Sequence, residues 1–339
     1  MRHANVAVFV PHAGCPHQCS FCNQRAISGT QFQPDAAFVR RTCSQAVRQL
    51  GERCSDAELA FFGGSFTAIE RSYMLELLGA AQEFVGEDGL SGIRVSTRPD
   101  AISPEILELL KEHHVTAIEL GVQSLDNRVL ALNKRGHTAQ DAEQAARLIR
   151  LYGFSLGLQM MVGLYGDSKE SLYHTARQIV ALSPDTVRIY PTVVLRGTAL
   201  EALYQSGAYQ PLELNDAVDL CAGLLELFEQ AGIRVIRLGL HAEEELQRNL
   251  VGGVYHPAFR ELCESRILLN CTYKKLEEIP PGKIILRVNP RAVSKMAGQR
   301  RCNLLALRGK GYEAKIVGDP SIGDGLHGIE VIKDVETCC

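Results

Sequence analysis

Seven short apolar runs recur along the first 240 residues, and longer stretches with helical spacing separate them. The runs are NVAVFV (5–10), ELAFF (58–62), IRVST (93–97), VTAIELG (115–121), FSLGLQMMV (154–162), TVRIY (186–190) and IRVIRL (233–238). Strands that alternate with helices pair in parallel, and strands covered on both faces are apolar almost throughout. We therefore predict an α/β fold with a partial (β/α)6-type TIM barrel over residues 1–240. A doubly wound parallel sheet is the structural alternative.

The stretches between the apolar runs have the spacing of amphipathic helices. They are AAFVRRTCSQAVRQL, RSYMLELLGAAQEFV, SPEILELLKEHH, TAQDAEQAARLIRLY, SKESLYHTARQIVAL and LNDAVDLCAGLLELFEQAG. Four of them begin with a residue suited to an N-cap, namely Ser103, Thr138, Ser168 and Asn215. Past residue 240 the alternation stops. Residues 241–282 predict a helical extension around a Gly-Gly break, followed by a turn-rich linker.

Residues 283–339 predict a small basic α+β module. The segments KIILRVN, PRAVSKMAG, CNLLALRGK and YEAKIVG read as strand, helix, helix and strand, and a last strand GIEVI precedes the tail. From Lys283 to Lys315 there are nine Lys or Arg residues against one acid, in a chain of formal net charge −3. A basic segment in an acidic protein indicates a polyanionic partner.

The chain contains eleven cysteines, and MRHANVAVFV at its start lacks the features of a signal peptide. No apolar run approaches the roughly 20 residues of a membrane span. We expect a cytoplasmic protein without a membrane partner, in which cysteines serve a metal site or the core rather than disulfides. Six cysteines have no metal-type spacing and are expected to be buried: Cys43, Cys54, Cys221, Cys263, Cys271 and Cys302. Cys338 and Cys339 are expected in a frayed tail.

Three further cysteines follow the first predicted strand with the spacing Cys-x3-Cys-x2-Cys. Cys15, Cys19 and Cys22 would lie at the carboxyl end of the barrel, where loops after the strands carry the chemistry. They could bind zinc with a fourth ligand such as His12 or His17. They could instead bind three irons of a 4Fe-4S cluster and leave the fourth iron open. The spacing alone leaves both interpretations open.

This cysteine motif, with Phe21 before its last member, resembles the signature of the radical S-adenosylmethionine (SAM) superfamily. FFGGSF (61–66) resembles that superfamily's Gly-Gly-Glu-like motif, with Ser65 where a glutamate often stands. STRPD (96–100), IELGVQS (118–124) and MMVGLYGDS (160–168) resemble its later strand ends. The resemblance implies that the glycine backbone approaches the cofactor, where a Cβ would interfere. It implies metal ligation by Cys15, Cys19 and Cys22, and cofactor binding by Phe21, Gly63, Gly64, Ser65, Ser96, Arg98, Glu119, Gln123 and Gly163.

Longer segments narrow the resemblance. HAGCPHQCSFCNQ, FFGGSFTAI, LGVQSLDNRVLALNKRGHT and RIYPTVVLRGTALEALYQSGAY resemble the radical-SAM half of the elongator-complex catalytic subunit, a tRNA-modifying enzyme, over residues 5 to 240. Oxygen-independent coproporphyrinogen oxidase is a more distant relative. We expect no acetyltransferase domain in the remaining residues. The resemblance implies a 4Fe-4S cluster that cleaves SAM to a 5′-deoxyadenosyl radical, with an external one-electron reductant such as flavodoxin or ferredoxin.

The substrate side is less defined by the sequence. Tyr190 and Arg196 lie at the end of the sixth strand and are candidates to face substrate, with a structural role as the alternative. Residues 284–317 resemble a KH domain core, whose Gly-x-x-Gly loop clamps single-stranded nucleic acid. The loop here makes Gly298, Arg300 and Arg301 the RNA-binding candidates, and a small cap with a basic face is the alternative. Three functions stay open: a radical enzyme acting on RNA, above all tRNA; one acting on a small molecule; and a non-catalytic, zinc-stabilised RNA-binding protein.

Overall fold

The structure is a computed structural model that describes residues 4–11, 13–15, 18–23, 27, 32–241 and 244–334. The strands, in chain order, are β1 (Ala4–Val10), β2 (Ala57–Gly63), β3 (Gly92–Thr97), β4 (Val115–Gln123), β5 (Ser155–Val162), β6 (Thr186–Pro191), β7 (Val193–Leu195), β8 (Arg234–Leu238), β9 (Leu250–Gly253), β10 (Gly282–Val288), β11 (Tyr312–Gly318) and β12 (Ile329–Lys333). The α-helices are α1 (Ala36–Leu50), α2 (Arg71–Gln82), α3 (Pro104–Glu112), α4 (Asn127–Leu132), α5 (Ala139–Leu151), α6 (Lys169–Leu182), α7 (Ala199–Gln205), α8 (Leu214–Gln230), α9 (Glu244–Arg248), α10 (Phe259–Leu276), α11 (Val293–Ala297) and α12 (Cys302–Gly309).

A seven-stranded sheet forms the larger part of the molecule. Its strand order is β1-β2-β3-β4-β5-β6-β8, and every neighbouring pair is parallel. The order follows the chain without a reversal, which excludes the doubly wound alternative, since that fold needs a point where the strand order turns back. The sheet curls into a half-barrel covered by helices. The predicted partial βα barrel is therefore confirmed.

Local sequence signals explain where the helices begin. The side chains of Ser103, Thr138 and Ser168 accept hydrogen bonds from backbone N–H groups of α3, α5 and α6, as predicted. The prediction for Asn215 is wrong, because α8 already begins at Leu214 and the capping position falls on Glu213. Asn215 lies inside the first turn, where a side chain no longer caps the end.

A short antiparallel ribbon pairs β7, which lies between β6 and β8 in the chain, with β9, which occupies the predicted Gly-Gly break between α9 and α10. Gly252 pairs with Val194, and Gly253 pairs with Val193. Gly253 has φ +89°, and a Cβ there would lie 2.9 Å from the carbonyl oxygen of Thr192. The two glycines therefore permit close strand pairing beside the barrel, a use that the sequence prediction of a helix break missed.

A second sheet has the order β11-β10-β12, with β11 parallel and β12 antiparallel to the central strand. The helices α11 and α12 lie between β10 and β11 in the chain, which is the predicted strand-helix-helix-strand order. Helix α10 contacts both parts of the molecule, because Ile267 packs in the barrel core and Leu268 packs in the core of the small sheet. Among the described residues, no helix is long and apolar enough to cross a membrane.

Candidate active site

The three cysteines lie on the loop after β1, at the carboxyl ends of the barrel strands. Cys15, Cys19 and Cys22 all line one cavity of about 470 Å³. Cys19 is buried, and the other two side chains are half-buried. Phe21 also lines the cavity and packs in an apolar cluster with Cys19. The structure thus brings the predicted ligands together at the end of the barrel where parallel βα barrels carry their chemistry.

Buried hydrogen bonds hold the cysteine loop in place. Ser20 donates its backbone N–H to the Asn133 carbonyl at 3.1 Å and its hydroxyl to Asn133 Oδ1 at 2.7 Å. The carbonyl of Ser20 accepts the backbone N–H of Leu200 at 2.7 Å. Ser20 and Asn133 are both at most 1% exposed. A loop anchored in this way presents its thiols in a preorganised arrangement.

The glycine pair after β2 packs against the same loop. The N–H of Gly64 donates to the Val10 carbonyl at 2.8 Å, and a Cβ on Gly64 would lie 2.0 Å from the Ala13 carbonyl oxygen. Gly63 has φ +112°, which side chains rarely adopt. Both glycines line the cavity. Close contact with the backbone of the cysteine loop thus explains why glycine is needed here. This reason is additional to the approach of a cofactor that the resemblance implies.

Ser65 does not line the cavity, although it follows the glycine pair directly. Its side chain is fully buried, with Oγ 2.9 Å from Thr97 Oγ1 and 3.3 Å from the backbone N–H of Arg98, which donates to it. Ser65 therefore supports the end of β3. The predicted cofactor contact of this residue stays a prediction.

Two arginines form the polar wall opposite the thiols. Arg135 donates from Nη1 to Cys19 Sγ at 3.1 Å and from Nη2 to the Gly121 carbonyl at 2.5 Å. Arg98 donates from Nε and Nη2 to the Asp100 carboxylate, each at 2.9 Å, and from Nη2 to the Arg135 carbonyl at 2.6 Å. Sequence analysis identified Arg98 and missed Arg135, which lies in the long loop between α4 and α5.

Several buried polar atoms of this wall have no hydrogen-bond partner within the described part of the chain. They are Ser96 Oγ, Arg98 Nη1 and Arg135 Nε, and all three residues line the cavity. Buried donors are normally paired, so such atoms at a cavity wall suit an anionic ligand. Burial and the neighbouring Cys19 raise the pKa of the Cys15 thiol, whereas Arg98 and Arg135 oppose that increase. Guanidinium groups beside thiols favour the thiolate that a metal requires.

Glu119 belongs to a buried ion-pair layer next to the cavity, and one member of that layer, Arg188, also lines the cavity. It is fully buried, 2.6 Å from Arg188 Nε and 3.4 Å from Arg94 Nη1, and it accepts the Gln159 side-chain amide at 2.8 Å. Arg94 also pairs with Glu58 at 2.7 Å. Glu119 does not line the cavity. These contacts favour a role for Glu119 in holding the strands together over direct cofactor binding.

The other predicted residues divide between the cavity wall and its surroundings. Gln123 lines the cavity at φ +63°, where the β4–β5 register shifts, and Tyr190 lines it from β6. Gly163 does not line it, and its carbonyl accepts the Tyr209 hydroxyl at 2.7 Å. Arg196 is exposed and outside the cavity lining. His12 and His17 fall outside the described residues.

Sequence analysis missed further lining residues from β5 and from the segment after β8. Gln159 and Met161 line the cavity, while Leu158 and Met160, which alternate with them along β5, pack in the core. A polar residue in an apolar strand, read with the two-residue period of a strand, could have identified Gln159. His241 also lines the cavity, and although its side chain is exposed, desolvation by the surrounding wall together with Arg237 and Arg188 lowers its pKa to about 4.

The loop between α11 and α12 carries the three RNA-binding candidates, of which Gly298 is buried and the two arginines are at the surface. Gly298 has φ +74°, and Arg300 and Arg301 have φ of +51° and +62°. Both arginines are exposed, and neither forms an ion pair with a described residue. Arg301 occupies the position of the second glycine in a Gly-x-x-Gly loop. It therefore has a backbone conformation that glycine favours.

The remaining cysteines follow the burial prediction only in part. Cys43, Cys54, Cys221 and Cys263 are buried as expected. The prediction is wrong for Cys302, which is exposed at the start of α12, and for Cys271, which is half-buried at the interface of α8 and α10. Cys338 and Cys339 fall outside the described residues.

Known proteins resemble this chain over the regions that build the cavity. Residues 9–179 match the Radical SAM superfamily, and residues 184–268 match the Radical_SAM C-terminal domain. A tRNA uridine(34) acetyltransferase of Dehalococcoides mccartyi is 28% identical over 255 residues, which cover 66% of this chain and 56% of that protein. Elongator complex protein 3 of Homo sapiens is 30% identical over 272 residues, which cover 73% of this chain and 48% of that protein. The chain thus spans about half the length of these relatives.

A solved structure shares the same architecture. The archaeal Methanocaldococcus infernus Elp3, truncated at its N-terminus, superimposes with a TM-score of 0.63 at 25% identity. The superposition covers 81% of this chain and 62% of that one. Since the superfamily match spans half of the chain and includes the cysteine loop, this protein is an enzyme of the Radical SAM superfamily.

Proposed function

We propose that this enzyme holds a 4Fe-4S cluster on Cys15, Cys19 and Cys22, cleaves SAM at it, and uses the radical to modify an RNA, above all tRNA. One observation carries the proposal: three thiols converge on a cavity whose wall keeps buried N–H groups of Arg98 and Arg135 without described partners. A cluster held by three thiolates keeps one iron open, and SAM brings a carboxylate that guanidinium groups recognise.

In this proposal the residues of the protein position the ligands in the cavity and shield them from water. When bound, the cluster and SAM supply an electron and a 5′-deoxyadenosyl radical that abstracts a hydrogen atom from the substrate. Arg135 fixes Cys19 through its sulfur and links it to the end of β4. Phe21, Phe62 and Met161 line the cavity with apolar surface, which excludes water from a reactive site. His241 is held neutral by its lowered pKa, so it can donate one hydrogen bond to the substrate or accept one from it.

Support for an RNA substrate comes from the relatives and from the charge of the small sheet. The relatives include proteins named as tRNA uridine(34) acetyltransferases. Several basic residues of the small sheet are neutralised internally, since Arg287 pairs with Asp319 and Lys295 pairs with Glu264. Arg300 and Arg301 are exposed and stay available for phosphates.

The cluster and cleavage are tested on anaerobically reconstituted protein. We expect iron and sulfide near four per chain, the absorption near roughly 400 nm typical of such clusters, and release of 5′-deoxyadenosine with a one-electron reductant. Cys22→Ala should abolish release, whereas Cys302→Ser, an exposed cysteine outside the cavity, should leave it unchanged. Zinc in place of iron would support the non-catalytic alternative, and cleavage by Cys22→Ala would refute the ligand assignment.

Binding to tRNA is measured against salt concentration. Each phosphate contact adds about one to the slope of log affinity against log salt. Changing Arg300 and Arg301 to Gln should therefore weaken binding and lower the slope by about two. Arg147→Gln, a change at an exposed side chain on α5, is the matched control. A flat salt dependence in the wild type, with normal SAM cleavage, would favour a small-molecule substrate.

A further inference from the structure

Three potential metal ligands from separate segments converge outside the active site. Glu226 lies on α8, Cys271 on α10, and His327 in the segment between β11 and β12. Cys271 Sγ lies 3.1 Å from His327 Nδ1, and Glu226 Oε1 lies 3.7 Å from the same nitrogen. All three donor atoms lie within 4.8 Å of one another. Neither the cysteine motif nor the cavity explains this cluster.

The geometry differs from that of a thiol-imidazole-carboxylate relay. In a relay the thiol bonds to one ring nitrogen and the carboxylate to the other. Here the sulfur and the carboxylate oxygen both approach Nδ1 of His327. That nitrogen carries either one proton or one lone pair, so it cannot serve both neighbours as a proton relay would require. Three donor atoms this close to one another suit a shared cation.

The distances match a tetrahedral ion. Zinc binds sulfur at about 2.3 Å and imidazole nitrogen or carboxylate oxygen at about 2.0 to 2.2 Å. At a tetrahedral angle these bonds place sulfur about 3.6 Å from nitrogen, and nitrogen about 3.4 Å from oxygen. The observed 3.1 and 3.7 Å for these two pairs differ from the tetrahedral values by about 0.5 and 0.3 Å, and the sulfur and carboxylate oxygen lie within 4.8 Å of each other. A thiolate, an imidazole and a carboxylate favour zinc over magnesium or calcium.

The surroundings allow an ion to enter from solvent. The side chain of His327 is 47% exposed and that of Glu226 is 22% exposed. Burial raises the pKa of the Cys271 thiol, Glu226 raises it further, and Lys274 and Lys275 oppose the increase. A metal ion binds the thiolate form of cysteine, so binding releases the thiol proton to solvent. Water can take the fourth position on the exposed side.

We propose that Glu226, Cys271 and His327 bind one zinc ion, which fastens the segment before β12 to the outer helices of the barrel. Helix α8 covers the half-barrel, whereas His327 leads into an edge strand of the small sheet. The ion cross-links residues 101 positions apart, from 226 to 327, and restrains the small sheet where the RNA-binding candidates lie. Such a clip stabilises the folded state because the ligands do not converge in the unfolded chain.

The test counts zinc and iron separately in the full-length, cluster-reconstituted protein after equilibration with zinc chloride. We expect one zinc ion per chain, and its loss in His327→Ala and Cys271→Ser with iron content unchanged. Glu226→Gln should weaken zinc binding at least tenfold. His256→Gln and Cys302→Ser are the controls that keep zinc, because neither belongs to the cluster.

A second readout is thermal. A zinc chelator should lower the Tm of the wild type and leave that of His327→Ala unchanged. Zinc content equal in wild type and all three ligand variants, or no zinc in the wild type, would overturn the proposal. Zinc lost from Cys22→Ala but kept in His327→Ala would instead place zinc on the cysteine loop. That result would refute both the 4Fe-4S cluster on the cysteine loop and the zinc ion on Glu226, Cys271 and His327, whereas loss of zinc from the His327 variant alone leaves the cluster proposal untouched.

Discussion

Two layers of buried arginines lie one above the other in the half-barrel, and their charge balance differs. In the lower layer, Arg94 and Arg188 face the two carboxylates of Glu58 and Glu119. At the mouth, Arg98 pairs with the carboxylate of Asp100, whereas Arg135 donates to Cys19 Sγ and to the Gly121 carbonyl and forms no ion pair with a described carboxylate. The lower layer has two arginines against two carboxylates and is therefore balanced in charge, although its Arg188 also lines the cavity. The mouth has surplus positive charge, which suits thiolates and a carboxylate ligand.

Residues of the lower layer thus stabilise the barrel, whereas the arginines at the mouth have donors that a ligand can use. A buried ion pair stripped of one member leaves an uncompensated charge and costs far more than an exposed pair. An arginine with unpaired donors loses less when it is changed, because part of its bonding capacity is unused in the protein alone. Changes in the lower layer should therefore reduce stability, and changes at the mouth should mainly reduce ligand binding.

The largest effect is expected from Glu119→Gln. The change leaves Arg188 and Arg94 short of a buried negative charge, and we expect a loss of about 3–5 kcal/mol in the free energy of unfolding. Urea denaturation measures it. Glu105→Gln, which removes an exposed pair with Arg71, is the control and should cost under about 1 kcal/mol. Equal stability of the two variants would show that the lower layer does not support the fold.

An acid-dependent effect is expected from His137 at the mouth. Burial, Arg135 and Arg98 lower its pKa to about 4, whereas a histidine in an unfolded chain titrates near 6.5. Between these values only the unfolded chain takes up the proton. The contribution of the neutral His137 to the free energy of unfolding is therefore complete above about pH 6.5. It is lost as the pH falls to 4, and the loss is at most about 3 kcal/mol.

His137→Asn should flatten this part of the stability profile. Urea denaturation at several pH values between 4 and 7 measures the slope for both proteins. Asp141, whose pKa is lowered by the N-cap of α5, is a neighbour that contributes in the same direction. Asp141 titrates at lower pH than His137, so Asp141→Asn is the control that should keep the slope between pH 5 and 6.5. An unchanged slope in His137→Asn would mean that other groups determine the acid sensitivity.

The smallest effect on stability, paired with a clear effect on ligand, is expected from Arg135→Lys. Lysine keeps the charge and loses the planar fork that joins Cys19 Sγ to the Gly121 carbonyl. We expect a cost of about 1–2 kcal/mol in unfolding free energy and a loss of about tenfold or more in SAM affinity. Equilibrium binding of SAM to the reconstituted protein measures the second quantity. A stability loss as large as that of Glu119→Gln would erase the distinction between the layers.

The alternation of apolar runs and amphipathic stretches was sufficient to predict the parallel half-barrel, because each strand and helix is specified by a local periodicity. Cys15, Cys19 and Cys22 were predictable for the same reason, since their spacing and their place after β1 are both local. Caps such as Thr138 were readable within four residues. Asn215 was not, because the start of α8 depends on its packing rather than on the capping residue alone.

The sequence by itself determined the order of the strands and the end of the barrel at which the thiols lie. Only the tertiary structure decided that Glu119 is paired in the lower layer, that Arg135 reaches Cys19 across 116 positions of sequence, and that Glu226, Cys271 and His327 meet. The physical reason is that charge pairing and ligand convergence depend on distances between side chains of different strands and helices. Those distances are set by the curl of the sheet and the packing of helices upon it, and no local pattern encodes them.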